Sequence, residues 1–266
     1  MIPAMQVTYA SIPAPGHANE DFIATGNNWV AVLDGATPRA DIESGCVHDV
    51  PWLVAHLAAG LTHALDLEHD VNLDDALAHA IAATMDAHGS TCDLDNPDSP
   101  SSTVAILRRS NDGDLDFLVL ADSPILIQHL DGTLKVITDE RSASLPAYTH
   151  ETVRAARNTA DGFWVASTTT EAARRALTGA VPVSEQQVAA LMTDGVSRYV
   201  DRLGLGTWDS LLHTLRARGP MAAVGEIRGA ERAKLPPVHQ ESNGRTVKRH
   251  DDATAAIIEF QLKDES

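Results

Sequence analysis

Short apolar runs alternate with amphipathic segments along the chain, and this pattern predicts both strands and helices. Runs rich in branched and aromatic residues predict strands at 22–25, 29–33, 103–108, 115–121, 125–129, 133–137, 188–192 and 253–260, and GFWVAS at 162–167 predicts one more. Apolar residues at helical spacing predict helices at 52–67, 73–88, 151–158, 170–177, 208–218 and 221–233. Asn72 is the expected N-cap of the second helix.

The links between the central strands favour antiparallel pairing. NDGD at 111–114 and Asp131-Gly132 have the composition of hairpin turns. No internal repeat or linker interrupts the chain, so residues 1–266 are expected to form a single domain. The predicted class is α+β, with the strands in one or two antiparallel sheets and the helices outside.

Composition narrows the range of partners and compartments. Hydrophobic residues make up 44% of the chain and aromatic residues only 4%, so the core must consist mainly of Ala, Leu, Val and Ile. A net charge of −17 argues against a nucleic-acid partner, which needs a positive surface. The acidity fits either an ordinary solvated surface or sites for hard cations.

Two cysteines, Cys46 and Cys92, are too few for a disulfide framework, so both are expected to be reduced. No apolar stretch approaches the length of a membrane span, and the first residues lack the features of a signal peptide. We therefore expect a cytoplasmic protein with no membrane partner.

Three predicted strands have an aspartate at one end. Leu33 precedes Asp34-Gly35, the run 188–192 precedes Thr193-Asp194-Gly195, and Asp251-Asp252 precedes the run 253–260. If these strands lie side by side, their carboxylates converge at one rim and repel one another unless a divalent cation such as Mg²⁺ or Mn²⁺ is bound. The alternative is that each Asp-Gly pair is only a turn, the interpretation we give to the pairs at 112, 131 and 161.

The order of short motifs along the chain resembles one family. NED, VLDG, SSTVAIL, ADS, TDG and DDAT follow one another between residue 19 and about residue 260. This order resembles the metal-dependent serine/threonine phosphatases of the protein phosphatase 2C (PPM) family. The resemblance implies a four-layer α-β-β-α sandwich of two antiparallel sheets flanked by helices. It also implies hydrolysis of phosphoserine and phosphothreonine in proteins through a hydroxide bound to two Mn²⁺ or Mg²⁺ ions.

The resemblance assigns roles to most of these acids. Asp34 would bridge the two ions, the Gly35 carbonyl would bind one of them, and Asp194 and Asp251 would be further ligands. Asp252 occupies the position at which the family usually has Asn. The remaining acids would hold metal-bound waters in the case of Glu20 and Asp21, and a third, weaker ion in the case of Asp122.

Several family features are changed in this chain. The usual Arg before the acidic pair is absent, so His17 or Arg39 is the expected substitute for holding phosphate. Arg198 stands where the family commonly has an aspartate for the third ion, and it could instead meet the substrate phosphate. ADSP replaces GDSR. These departures leave two alternatives open: an inactive pseudophosphatase that serves as a binding module, and a phosphatase of small metabolites.

Other polar residues are weaker candidates for a functional role. His48 is a candidate general acid, although a structural role is the more common one for such a residue. The loop DLDNPDS at 93–99 resembles a calcium loop but lacks its glycine, and we expect it to be solvated. The basic residues at the end of the late helices, Arg228, Arg232 and Lys234, are expected to face solvent.

Overall fold

The computed structural model describes residues 5–37, 41–67, 71–236, 238–240 and 246–260. Its strands are β1 (Met5–Ile12), β2 (Asp21–Thr25), β3 (Trp29–Ala36), β4 (Ser101–Arg109), β5 (Asp114–Leu120), β6 (Ile125–His129), β7 (Leu134–Ile137), β8 (Leu177–Pro182), β9 (Gln186–Met192), β10 (Val238–Gln240), β11 (Thr246–Lys248) and β12 (Ala253–Phe260). Its helices are α1 (Val50–Leu67), α2 (Leu73–Ala87), α3 (His150–Ala156), α4 (Glu171–Arg174), α5 (Asp194–Asp201), α6 (Trp208–Arg218) and α7 (Pro220–Lys234).

Two five-stranded sheets stack face to face. The first has the order β1-β12-β9-β6-β7, the second has the order β2-β3-β4-β5-β8, and every neighbouring pair is antiparallel. Apolar side chains from both sheets, including Val32, Leu107, Ile127 and Ile258, fill the space between them. Helices α1 and α2 cover the outside of the second sheet, and α5, α6 and α7 cover the outside of the first. The predicted four-layer α-β-β-α sandwich is confirmed.

Strand β3 shows why the apolar runs are continuous rather than alternating. Trp29, Ala31 and Leu33 face the helices of the outer layer, whereas Val30 and Val32 face the first sheet. Both faces of the strand are therefore buried, and every residue from 29 to 33 must be apolar.

Helices α1 and α2 approach closely where Gly60 meets Ala80. A Cβ atom on Gly60 would lie 2.7 Å from the Cα atom of Ala80, so a larger residue would push the helices apart. The α2 N-cap is Asn72, as expected, but its amide donates to Asp75 instead of closing the helix end. None of the helices in the described ranges is long and apolar enough to cross a membrane.

The strands β1, β8, β10 and β11 and the helix α5 were not predicted from the sequence, and one predicted strand is wrong. The edge strands β1 and β8 bury few side chains and show no clear apolar face, and α5 is too short for a helical period to stand out. The segment 162–167 does not form a strand. It meets β4 through one isolated bridge between Ser102 and Ala166. Phe163 and Val165 pack in a small separate cluster with Ala121, whereas Trp164 and Ala166 belong to the core that α1 and α2 cover.

Candidate metal centre at the rim of the two sheets

The acids at the three strand ends meet at one rim of the sandwich. In the second sheet, Asp34 lies near the end of β3. In the first sheet, β9 ends two residues before Asp194, and its antiparallel neighbour β12 begins directly after Asp252. The backbone N–H of Asp194 donates a hydrogen bond of 3.1 Å to Oδ2 of Asp34. This bond joins the two sheets at the acidic rim.

The two neighbouring aspartates at 251 and 252 have different surroundings. The carboxylate of Asp252 is buried and accepts hydrogen bonds from the backbone N–H groups of Ala14 and Glu20, each at 2.6 Å. It thereby fixes both ends of the loop between β1 and β2. The side chain of Asp251 is 41% exposed and belongs to the group of acids around Asp34. Asp251 is therefore the better placed of the two to reach an ion.

Asp21 links the second sheet to the first. It is the cross-strand partner of Asp34, and its Oδ2 accepts a 2.9 Å hydrogen bond from the hydroxyl of Thr193, the residue before Asp194. The side chain of Glu20 accepts a hydrogen bond from the hydroxyl of Thr37. Both acids of this pair thus lie beside the rim, and their role in holding metal-bound waters stays a prediction.

The glycines after Asp34 and Asp194 are required by close packing rather than by a turn. A Cβ on Gly35 would lie 2.2 Å from Val50 Cγ1 and 2.4 Å from the Glu20 carbonyl oxygen. A Cβ on Gly195 would lie 1.7 Å from the Asp252 carbonyl oxygen. By contrast, Gly113 and Gly132 have φ values of +92° and +88°, as expected for the turns predicted there.

Burial and mutual repulsion oppose ionisation of this acidic group. Burial, followed by the charges of Asp21, Asp194 and Asp251, raises the pKa of Asp34 well above its usual value. Burial and Asp194 raise the pKa of Asp251 to about 6, and burial is the main cause that raises the pKa of Asp21 to about 8. Several hard oxygen donors with unbalanced charge are the donor set that Mg²⁺ and Mn²⁺ prefer, so the residues present fit such ions.

Arg198 is the main cation within this group of acids. Its guanidinium donates to Asp251 at 2.8 Å and to Glu231 at 2.7 Å, and its side chain is only 1% exposed. Glu231 is fully buried in α7 and also accepts from Arg228 and His250. The expectation that Arg228 faces solvent is therefore wrong. Contact between Arg198 and a substrate phosphate stays a prediction, and it would require the guanidinium to leave one of these partners.

Asp122 follows β5 at the same rim, and its charge contributes to the raised pKa of Asp34. The residue before it, Ala121, has a φ of +66° and is buried. A side chain in this left-handed region is strained, and glycine is the residue that occupies it without strain. The position therefore favours the glycine that this chain lacks.

Ala121→Gly is expected to stabilise the protein by about 1 kcal/mol, because it removes the left-handed strain. Thermal unfolding should show a rise in midpoint of about 2–4 °C for a chain of this size. Urea unfolding should show a higher midpoint concentration. Ala105→Gly, in the buried middle of β4, is the control and should lower stability. Equal losses in both variants would contradict strain at Ala121.

A cleft of about 560 Å³ opens beside the acids. Its charged lining consists of Asp122, Asp139, Glu140, Asp194, Arg198, Asp201 and Arg202. A smaller cavity of about 160 Å³ contains Asp34, Asp122 and Asp194 together with Arg157. Asp201, Arg202 and Arg157 line these cavities but carry no motif that singles them out in the sequence. Asp201 could still have been found, because it follows Asp194 at helical spacing on α5, whose N-cap Thr193 is a recognisable start signal.

The remaining candidates have the following positions. His17 is exposed in the loop between β1 and β2, and Arg39 lies outside the described residues. The ring of His48 stacks on that of Trp52 with centroids 3.9 Å apart, which fits a structural role. In the loop 93–99, Asp98 is buried and bonded to His150 and Arg154, so this part of the loop is not solvated.

Comparison with known proteins links this arrangement to one family. A model of the protein phosphatase 2C family matches residues 13–227, a span that contains Asp34, Asp122 and Asp194. No curated protein matches the chain at a significant level.

Solved structures with the same fold share little sequence with the chain. The serine/threonine phosphatase PstP/Ppp of Mycobacterium tuberculosis is 17% identical, with a TM-score of 0.57 over 97% of this chain and 100% of that one. The PPM phosphatase MsPP of Mycobacterium smegmatis, in complex with cacodylate, is 17% identical, with a TM-score of 0.56 over 96% and 98%. A PstP catalytic domain in complex with two manganese ions is 18% identical, with a TM-score of 0.55 over 97% and 99%.

Proposed function

The chain belongs to the protein phosphatase 2C family, and from this premise we propose that it hydrolyses phosphoserine and phosphothreonine in proteins with the help of divalent ions. One observation carries the proposal. Asp34 and Asp194, from different sheets and 160 residues apart, meet at one rim through a 3.1 Å hydrogen bond, with Asp251 in the same group of acids. A purely structural rim would gain nothing from this accumulation of repelling charge.

Two Mn²⁺ or Mg²⁺ ions would be held by Asp34, Asp194, Asp251 and the carbonyl of Gly35. When bound, such ions supply charge neutralisation for a phosphoryl group and activate water. Asp21 accepts a hydrogen bond from Thr193, and Glu20 accepts one from Thr37, which supports a role for both carboxylates in orienting metal-bound water. The two manganese ions in the PstP structure support this assignment by analogy.

The substrate phosphate would enter from the cleft that Asp122 and Asp194 line. Arg202 is the more accessible of its two arginines, with a side chain 19% exposed and 4.0 Å from Asp194, whereas Arg198 is almost fully enclosed. Arg198 lines the same cleft as Asp122 and occupies the position at which the family commonly has an aspartate for a third ion. Its positive charge would make a third site at Asp122 weaker than the other two.

Phosphate release from phosphopeptides and from small phosphate esters tests the proposal. The chain should hydrolyse phosphoserine and phosphothreonine peptides with Mn²⁺ or Mg²⁺ and lose this activity with EDTA. Turnover of small metabolite esters alone would support a small-molecule phosphatase instead. Metal binding measured by calorimetry without turnover of any substrate would identify a pseudophosphatase.

The expected location is the cytoplasm, which suits the free thiols of Cys46 and Cys92. Fractionation of cells that express the tagged chain would test this location.

A further inference from the structure

A second group of potential metal ligands lies in the loops beside α1 and α2. The ligand atoms of Cys46, His88 and Cys92 all lie within 4.8 Å of one another. Across the described parts of the chain, this is the one set of three His, Cys, Asp or Glu side chains gathered so tightly. Its donors are sulfur and nitrogen, in contrast to the oxygen donors of the acidic rim, so the two groups suit different metals.

One ring nitrogen of His88 is held by a hydrogen bond, which leaves the other as a possible ligand. Its Nδ1 atom lies 2.8 Å from the carbonyl oxygen of Thr84, one turn earlier in α2. Because a carbonyl can only accept, Nδ1 carries the proton and the lone pair lies on Nε2. The ring of Trp52 packs edge-on to His88 with centroids 4.6 Å apart. A hydrogen bond from the second ring nitrogen is the usual support of a metal-binding histidine.

The two sulfur atoms also accept hydrogen bonds from the backbone. The N–H of His48 points to Cys46 Sγ and the N–H of Val47 points to Cys92 Sγ, each at 3.4 Å. Such donors hold the two sulfur atoms in position beside each other. The sulfurs are 3.2 Å apart. Two Zn–S bonds of about 2.3 Å at a tetrahedral angle would span about 3.8 Å, so a shift of roughly half an ångström would admit the ion.

We propose that Cys46, His88 and Cys92 form a zinc site, with water at the fourth position of the tetrahedron. Zn²⁺ suits a mixed set of thiolate and imidazole ligands and takes tetrahedral geometry. The site is independent of the acidic rim and does not rest on the proposed phosphatase activity.

The ion would join two loops that lead to and from the acidic rim. Cys46 belongs to the segment between β3 and α1, and Cys92 belongs to the segment between α2 and β4. The segments are already linked by hydrogen bonds from Asp93 N–H to the Gly45 carbonyl at 2.7 Å and from the Asn96 amide to the Glu43 carbonyl at 3.0 Å. Since β3 carries Asp34, zinc would stabilise the connection on one side of the rim.

A disulfide is the main alternative for two neighbouring thiols. Both cysteines are free, and their sulfur separation of 3.2 Å is well beyond the roughly 2.05 Å of an S–S bond. A disulfide would also leave unexplained why His88 presents a ring nitrogen to the same point. The cluster of three donors therefore favours a metal.

The test uses the full reduced chain, freed of metal with chelator and titrated with Co²⁺ and then Zn²⁺. With Co²⁺, the thiolate charge-transfer band and the intense visible bands of a tetrahedral site should appear and should saturate at one such site per chain, whether or not the acidic rim also binds Co²⁺, and Zn²⁺ should abolish both. Cys46→Ser, Cys92→Ser and His88→Gln should each weaken Zn²⁺ binding by about 100-fold or more, because loss of even an outer hydrogen-bond partner costs about 10–100-fold.

Two controls separate this site from the rest of the protein. His63→Gln, on the exposed side of α1, and Asp34→Asn, at the acidic rim, should both retain the cobalt spectrum. Absence of thiolate bands in the reduced wild-type chain would overturn the proposal whatever the variants do. Ready oxidation of Cys46 and Cys92 to a disulfide, without Co²⁺ or Zn²⁺ binding to the reduced form, would also overturn it and identify a redox pair.

Discussion

Asp34→Asn is expected to lower the metal-dependent phosphatase rate by about 10²–10³-fold, because loss of a bridging ligand removes several kcal/mol of charge stabilisation in the transition state. The same change should raise the stability of the metal-free chain. Burial and four neighbouring acids raise the pKa of Asp34, so its ionised form opposes folding and a neutral side chain does not. Asparagine can still accept the hydrogen bond from Asp194 N–H through its amide oxygen.

Opposite changes in activity and stability distinguish a metal ligand from a residue that only supports the fold. The measurements are phosphate release with excess Mn²⁺ and thermal unfolding in EDTA. Asp112→Asn is the matched control, since Asp112 also precedes a glycine but is exposed in a hairpin turn, and it should change neither quantity. An Asp34→Asn variant that keeps the wild-type rate would refute the assigned role, and one that loses both activity and stability would indicate simple damage to the rim.

The strands that meet at the rim could be predicted because their burial is extreme. β3, β4, β9 and β12 lie between another sheet and a helical layer, so long apolar runs are obligatory and an aspartate at the end of one is conspicuous. Antiparallel neighbours then place such ends at the same rim. The pattern alone could not show that Asp194 meets Asp34, since that contact depends on how one sheet stacks on the other.

The features that could not be predicted from the sequence depend on contacts between distant segments. Glu231 looks like one more charged residue of α7, and only the fold reveals that it is fully buried between Arg198, Arg228 and His250. The edge strands β1 and β8 have weak patterns because their outer positions contact solvent. Cys46 and Cys92 are 46 residues apart, and no local spacing indicates that His88 lies with them.

The metal-free chain is expected to lose stability as pH rises from 5 to 8. Burial raises the pKa of Asp21 to about 8, far above its value of 3.8 when exposed, so the folded state binds a proton that the unfolded state has released. The resulting stability is fully present below pH 3.8 and is lost as pH rises through about 8. Asp251, with a pKa raised to about 6, adds a change of the same sign. Asp21 alone should account for roughly a few kcal/mol, or about 5–10 °C in the unfolding midpoint.

Unfolding in EDTA across this pH range measures the effect, and Asp21→Asn isolates it. The variant should flatten the pH dependence, because asparagine keeps an acceptor for the Thr193 hydroxyl but has no charge to lose. Burial lowers the pKa of His88, which opposes the trend, but this contribution is common to both proteins and cancels in the difference. With saturating Mn²⁺ the slope of the wild-type chain should reverse, since protons then compete with the ion for the same carboxylates. If the stability of wild type and of Asp21→Asn changed equally with pH in the absence of metal, Asp21 would already be ionised in the folded state. Other groups would then have to balance the negative charge of the Asp21 carboxylate at the rim.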